Sequence, residues 1–129
     1  MPRLLERMLG SLEVVRTNRP TPEGALRGEP ASPGRASGPV RVVHGAEDFE
    51  RFRQGEVLVA QATAPAWTAL FSRAVAVVTD GGSLAAHASL VAREFGIPAV
   101  VASGDATVRL KDGQIVTVDG SAGLVEVQM

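Results

Sequence analysis

At 129 residues, with 45% hydrophobic and 21% charged residues, the chain has the size and balance of one globular domain around a single core, not of a disordered segment. A formal net charge of -1 offers no field to draw in nucleic acid or an anionic membrane, and one Trp without any Tyr leaves little for base stacking. There is no cysteine, which excludes disulfides, thiolate chemistry and cysteine-held metals and fits a cytoplasmic chain.

Leu4, Leu5, Met8, Leu9 and Leu12 recur at helical spacing and predict an amphipathic helix over residues 3–16. Gly10 weakens it by about 1 kcal/mol relative to alanine. Charges interrupt these apolar residues, so the N-terminus is not a signal peptide, and no apolar run approaches the roughly 20 residues that span a bilayer. Residues 17–38 are rich in Pro, Gly and Ser and read as turn and loop. Residues 1–27 are therefore expected to be an appended helix and linker, and residues 28–129 the folded unit.

Val40, Val42 and Val43 mark a strand, and residues 57–60 another. Between them the charges of residues 47–53 form the solvated face of a short helix around Phe49 and Phe52. Residues 66–73 read as a helix whose apolar face is Trp67, Leu70 and Phe71. The β-branched run over residues 74–78, ending at Thr79, predicts a strand buried on both faces. Asp80-Gly81-Gly82-Ser83 is a turn, and a helix follows over residues 85–95, with Gly96 as its C-cap and Pro98 barring continuation. Residues 99–101 form a further buried strand. Ile115, Val116 and Val118, then Leu124, Val125 and Val127, alternate as a hairpin, with Asp112-Gly113 and Asp119-Gly120 as turns. The sum is an α/β domain: a mixed sheet of short strands with two or three helices on one side.

The chemistry-bearing stretch is strand, glycine turn, histidine, helix. His87 falls in the first helical turn, where N–H groups lack intrahelical partners and the helix dipole favours an anion. A neutral imidazole is nucleophilic near neutral pH, and one ring nitrogen can react while the other is held by a hydrogen bond. On these features alone a capping or packing histidine is the commoner outcome. Gly81-Gly82 lacks the G-x-G-x-x-G spacing of a dinucleotide site, there is no P-loop, and no G-x-S-x-G elbow supports a serine hydrolase. His44 and His87 lie 43 positions apart with scattered carboxylates, so no metal site is expected, and His44 reads as a surface turn residue. Asp80 reads as a turn former.

Four stretches, in order, resemble the phosphohistidine or mobile domain of PEP-utilising enzymes, a family that includes PEP synthase, pyruvate phosphate dikinase, enzyme I and rifampin phosphotransferase. Ser32-Pro33-Gly34-Arg35-Ala36-Ser37-Gly38 is similar to the family's opening S-P-G-x-A-x-G segment. Thr63-Ala64-Pro65-Ala66-Trp67 is similar to its T-x-P-x-W motif, and residues 79–98 to T-D-x-G-G-x-x-S-H-x-x-x-V-A-R-E-x-G-I-P. Asp112-Gly113 with Val118-Asp119-Gly120 resembles the closing hairpin. The resemblance runs from about Gly28 to Val127 and implies a swivelling β/β/α phosphohistidine fold.

By that resemblance His87 is the phosphoryl acceptor and Thr68 orients it through its other nitrogen, favouring reaction at Nε2. Thr79, Gly81, Gly82 and Ser83 would shape the phosphate site. Arg93, nearly two turns beyond His87, is expected to pair with a carboxylate or pack, and Trp67 to be a core or interface residue. Two positions depart from the family pattern: its second glycine is Ser83, and the hydroxyl or thiol residue before the acceptor is Ala86, a loss of roughly 1 kcal/mol of hydrogen bonding. The resemblance implies that the chain binds no cofactor itself. ATP or PEP with Mg2+ would bind partners, an ATP-grasp domain and a PEP- or substrate-binding domain, either upstream or on separate polypeptides. The alternative is a non-catalytic interaction module that has kept the fold.

Overall fold

The computed structural model describes residues 24–128, so the helix expected over residues 3–16 lies outside the described residues. Eight strands follow in chain order: β1 (Ala25–Arg27), β2 (Glu29–Ser32), β3 (Arg35–Val42), β4 (Val57–Ala60), β5 (Ala76–Thr79), β6 (Ala99–Val101), β7 (Ile115–Asp119) and β8 (Leu124–Val127). Three helices are interspersed: α1 (Thr68–Phe71), α2 (His87–Phe95) and α3 (Ala106–Arg109). The strands form one mixed sheet in the order β1-β8-β7-β3-β4-β5-β6-β2. β3 through β6 are mutually parallel, and the flanking pairs are antiparallel.

The parallel centre is why its strands read as continuous apolar runs: every residue of β4, β5 and β6 is buried. Alternation along those strands then sorts side chains into two cores. Val57, Val59, Val78 and Val100 join Val40, Val116 and Val118 on one face. Leu58, Val77, Ala99 and Val101 lie on the other, beneath Phe52, Leu70, Phe71, Val91 and Ala92. Both α1 and α2 therefore cover one face, as expected of the α/β fold. The single-turn α3, which the sequence did not reveal, places Ala106 and Leu110 in the opposite core.

Two local readings change. The stretch taken as loop holds β1, β2 and the first half of β3, so the folded unit reaches back past residue 28 to at least Ala25. Only tertiary pairing makes these strands: β1 pairs solely with β8, and β2 solely with β6. Pro30, which lacks an N–H, is tolerated because β2 is an edge strand. The helix expected over residues 66–73 is a 3-10 turn, Pro65–Trp67, running into the one-turn α1.

β1 and β2 sit at opposite ends of the sheet order yet are joined by Gly28 alone. The sheet must therefore curl until its two edges meet. Gly28 N–H donates to the Gly123 carbonyl at 2.9 Å, and any Cβ at residue 28 would strike the Val101 carbonyl. Among the described residues no helix is long and apolar enough to cross a membrane.

Candidate functional site

The site lies beyond the carboxyl ends of the parallel strands, where open α/β sheets present their loops. β5 ends at Thr79, and the backbone ladder to β4 continues one step further. Asp80 N–H donates to Ala60 O and Gly81 N–H to Gln61 O, both at 3.0 Å. The loop after β6 grips the same turn from the other side, through Ala102 N–H to Gly81 O (2.9 Å) and Gly104 N–H to Asp80 O (2.8 Å). Gly82 then turns the chain at φ +100°, a conformation closed to most side chains. Gly81 is under no such demand; a Cβ there would meet only Gln61 O, at an ordinary 3.7 Å.

His87 is the first residue of α2. Ala86 is the N-cap, extended at φ -74°, ψ 162°, and offers no side-chain cap. The departure noted from the sequence thus falls on the position where a serine or threonine hydroxyl would bind a first-turn N–H. The Ser83 carbonyl ties the turn to the helix start: it accepts from the N–H of the N-cap Ala86 at 3.1 Å and from the buried Ser89 hydroxyl at 2.6 Å. The Ser83 hydroxyl itself accepts from Ala85 N–H at 3.2 Å.

The imidazole of His87 is half-buried and fixed on three sides. Nδ1 lies 2.7 Å from Thr63 Oγ1. Nε2 lies 3.4 Å from Thr68 Oγ1, whose hydroxyl donates to Pro65 O at 2.8 Å. The ring of Phe71 meets the imidazole edge-on, centroids 5.9 Å apart at 87°. Thr68 therefore stands beside His87 as expected, but on the Nε2 side. The hydroxyl at Nδ1 is Thr63, which sequence reasoning placed in a motif without assigning it a role. Its only signal was its place at the head of T-x-P-x-W; nothing in the sequence brings residue 63 to residue 87.

The remaining residues support the frame. Thr79 Oγ1 donates to Gly81 O at 2.7 Å, inside the turn. Asp80 is turned away from His87, since its carboxylate accepts from Thr107 N–H (2.9 Å) and Oγ1 (2.5 Å) at the start of α3. Among the described residues Arg93 pairs with no carboxylate, contrary to one expectation. Its guanidinium donates through Nε to Ala31 O at 2.7 Å and through an Nη to Leu84 O, tying α2 to β2 and to the glycine turn. Trp67 is partly buried, packing against the core and edge-on against Phe49 at 5.4 Å. His44 is exposed in the turn before the 3-10 helix Ala46–Arg51, where its backbone N–H donates to Asp48.

That turn belongs to an ionic cluster. Arg41 bridges the buried Glu56 (2.9 Å) and Asp112 (3.2 Å), and Arg51 bridges Asp48 (3.0 Å) and Asp112 (2.5 Å). Burial would push the Asp112 carboxyl up. The Val42 N–H at 2.7 Å and the two guanidinium groups outweigh it and hold the carboxyl below its ordinary range. Hydrogen bonding to Glu56 raises Arg41. This cluster joins β3, the 3-10 helix and the Asp112 turn, and it is structural.

Residues 52–123 match the family PEP-utilising enzyme, mobile domain. Over 107 residues the chain is 54% identical to phosphoenolpyruvate synthase of Aeropyrum pernix, covering 81% of this chain and 13% of that protein. It is 49% identical over 105 residues to an uncharacterized phosphotransferase, YvkC, of Bacillus subtilis, again covering 81% of this chain and 13% of the relative. The chain thus spans about 13% of the length of these relatives. Among solved structures, the NMR structure of an Enzyme I protein, nEIt, superposes with a TM-score of 0.52 at 35% identity, covering 58% of this chain and 31% of that one. Aconitase X of Thermococcus kodakaraensis shares the fold at a TM-score of 0.61 and 19% identity, over 81% of this chain and 98% of that chain.

Proposed function

The chain belongs to the mobile-domain family of PEP-utilising enzymes, and on that premise we propose that it is a phosphocarrier whose His87 is transiently phosphorylated. A lone pair on a ring nitrogen forms the N–P bond. The P–O bond to the donor's leaving group breaks, and its electron pair departs with that oxygen. The second transfer runs the same exchange onto an acceptor. The observation that carries this reading is the placement of His87: first residue of α2, half-buried, with hydroxyls at both ring nitrogens. The unpaired N–H groups and the dipole at the start of a helix favour the added negative charge. The Thr63 hydroxyl can either donate to Nδ1 or accept from it, whereas that of Thr68 already donates to Pro65 O and can only accept from the ring.

Gly82 and Ser83 shape the approach for the phosphoryl group, Thr79 holds the turn, and Arg93 fixes its far side. The donor and acceptor chemistry belongs to partners: an ATP-grasp domain or a PEP-binding domain, each with Mg2+, in the same longer chain or on separate ones. The relatives' length supports this reading, since the matched portion is 13% of each.

The test is phosphate transfer to wild type and to His87→Ala, incubated with host extract and either labelled PEP or ATP labelled at the β or the γ position. Acid-labile, alkali-stable label on wild type alone is the expected result, and the productive donor identifies the partner. Label that survives His87→Ala overturns the assignment. No label from any donor on two equally folded proteins supports the non-catalytic module.

A further inference from the structure

We infer that Asp80 is a positioning residue of this site: its carboxylate caps α3 from within the glycine turn, and so fixes that turn, and His87 beyond it, to the core on the opposite side of the sheet from α2. The inference rests on the carrier reading above and adds to it a residue whose side chain is turned away from the imidazole. The first N–H groups of α3, like those of any helix, need acceptors from outside it. Asp105, its N-cap, makes no side-chain cap, and its carboxylate lies 3.9 Å from Arg109 instead. The acceptor comes from Asp80, 27 positions before the residue it holds. One carboxylate oxygen accepts from Thr107 N–H at 2.9 Å and the other from the Thr107 hydroxyl at 2.5 Å. Bonds to an ionised acceptor are shorter and stronger than neutral ones.

The backbone of the same residue is held on both sides. Its N–H donates to Ala60 O at 3.0 Å and its carbonyl accepts from Gly104 N–H at 2.8 Å. Asp80 therefore joins the end of β4, the loop after β6 and α3, at the point where the chain enters Gly81-Gly82 and turns toward His87. The far anchor is firm: Ala106 and Leu110, at the two ends of α3, are buried with Val40, Val59 and Val78. α2 packs on the other face, through Val91 and Ala92. The turn is thus fixed from both sides of the sheet, by Arg93 through Leu84 O on the α2 side and by Asp80 through Thr107 on the α3 side. Gly82, at φ +100°, has no side chain of its own to hold it in place.

The experiment uses the full chain and phosphoramidate, a small donor that needs no partner. A ring nitrogen of His87 forms the N–P bond, and ammonia leaves with the electron pair of the broken P–N bond. NMR follows this rate and the His87 ring resonances, with the exposed His44, the other histidine of the chain, as internal reference. Asp80→Ala removes both acceptors and should slow phosphorylation of His87 roughly fivefold to tenfold, shifting its resonances while His44 reacts as before. Asp80→Asn should stay within about twofold of wild type, because its carbonyl accepts from Thr107 N–H and its amide donates to the reversed hydroxyl. Thr107→Val keeps the N–H bond, loses the hydroxyl and should fall between the two. Val125→Ala opens a cavity in the same core away from the turn; it should lower the urea midpoint and leave the His87 rate and resonances unchanged, which separates positioning from stability. An Asp80→Ala chain with a lower midpoint but wild-type rate and resonances overturns the inference. So does an Asp80→Asn chain as slow as Asp80→Ala, since the charge and not the bond to Thr107 would then matter. If Asp80→Ala does not fold, Thr107→Val decides, and a wild-type rate and spectrum there overturn the inference. Variants behaving as described, with no label from PEP or ATP in host extract, would instead count against the carrier role and leave Asp80 in place.

Discussion

The two glycines of the turn before α2 look alike in the sequence and differ in what the backbone asks of them. Gly82 sits at φ +100°, where an added Cβ strains the chain, while Gly81 has ordinary space. Gly82→Ala is expected to destabilise by about 1–3 kcal/mol and to slow phosphorylation of His87, whereas Gly81→Ala should do neither; urea denaturation and the phosphoramidate rate distinguish them. Ala86 is the other informative residue. As an N-cap without a hydroxyl it leaves a first-turn N–H uncapped, so Ala86→Ser should stabilise the protein by roughly 1 kcal/mol. A thermal melt that does not rise would show that a hydroxyl at residue 86 does not reach a first-turn N–H in this turn.

At the scale of elements, α2 carries the histidine, and its position depends on a side chain at its far end. Arg93 spans from the Ala31 carbonyl of β2 to the Leu84 carbonyl beside the turn. Arg93→Gln keeps the polarity but loses the reach and the charge. It should cost about 1–3 kcal/mol, read as a lower urea midpoint, and broaden the His87 resonances. The ionic cluster plays the same part between β3, the 3-10 helix and the Asp112 turn. The Asp112 carboxyl is depressed in the folded state, so the stability it contributes is present above the unfolded carboxylate value of about 3.9 and is lost as pH falls through the lower folded value. The gap in urea midpoint between wild type and Asp112→Asn should therefore be widest near neutrality and shrink below about pH 4. A gap that persists under acid would mean that Asp112 acts through something other than its charge, since an Asn carbonyl can still accept from Val42 N–H.

For the whole molecule, the loops after β4, β5 and β6 gather beyond one end of the parallel strands, as the proposed carrier role requires of a domain presented in turn to different partners. The purified chain is accordingly expected to take no label from ATP or PEP by itself, and to be labelled once an ATP-grasp or PEP-binding partner is added. Autonomous labelling from ATP would show a nucleotide site that this reading does not provide. Closure of the sheet depends on Gly28, whose N–H reaches Gly123 and whose position leaves no room for a Cβ.

Much of this was legible in the residues. The buried β5 run, the turn, the place of His87 in the first helical turn and the Gly96 cap are local signals, because side-chain periodicity and backbone restriction act within a few residues of where they are written; the helix itself starts at His87, two residues later than the periodicity predicts. Gly96 indeed adopts the left-handed C-cap at φ 70°. The edge strands β1 and β2 were hidden, because Pro- and Gly-rich segments become strands only when β8 and β6 supply the hydrogen-bonding partners. Thr63 and the Ala31 carbonyl held by Arg93 were hidden for the same reason: sequence specifies which groups can donate and accept, but contacts spanning 24 and 62 positions exist only once the sheet has brought the loops together. The candidate histidine was thus legible in the sequence alone, because its turn and helix are local signals, and the groups that surround its ring were decided by the tertiary structure.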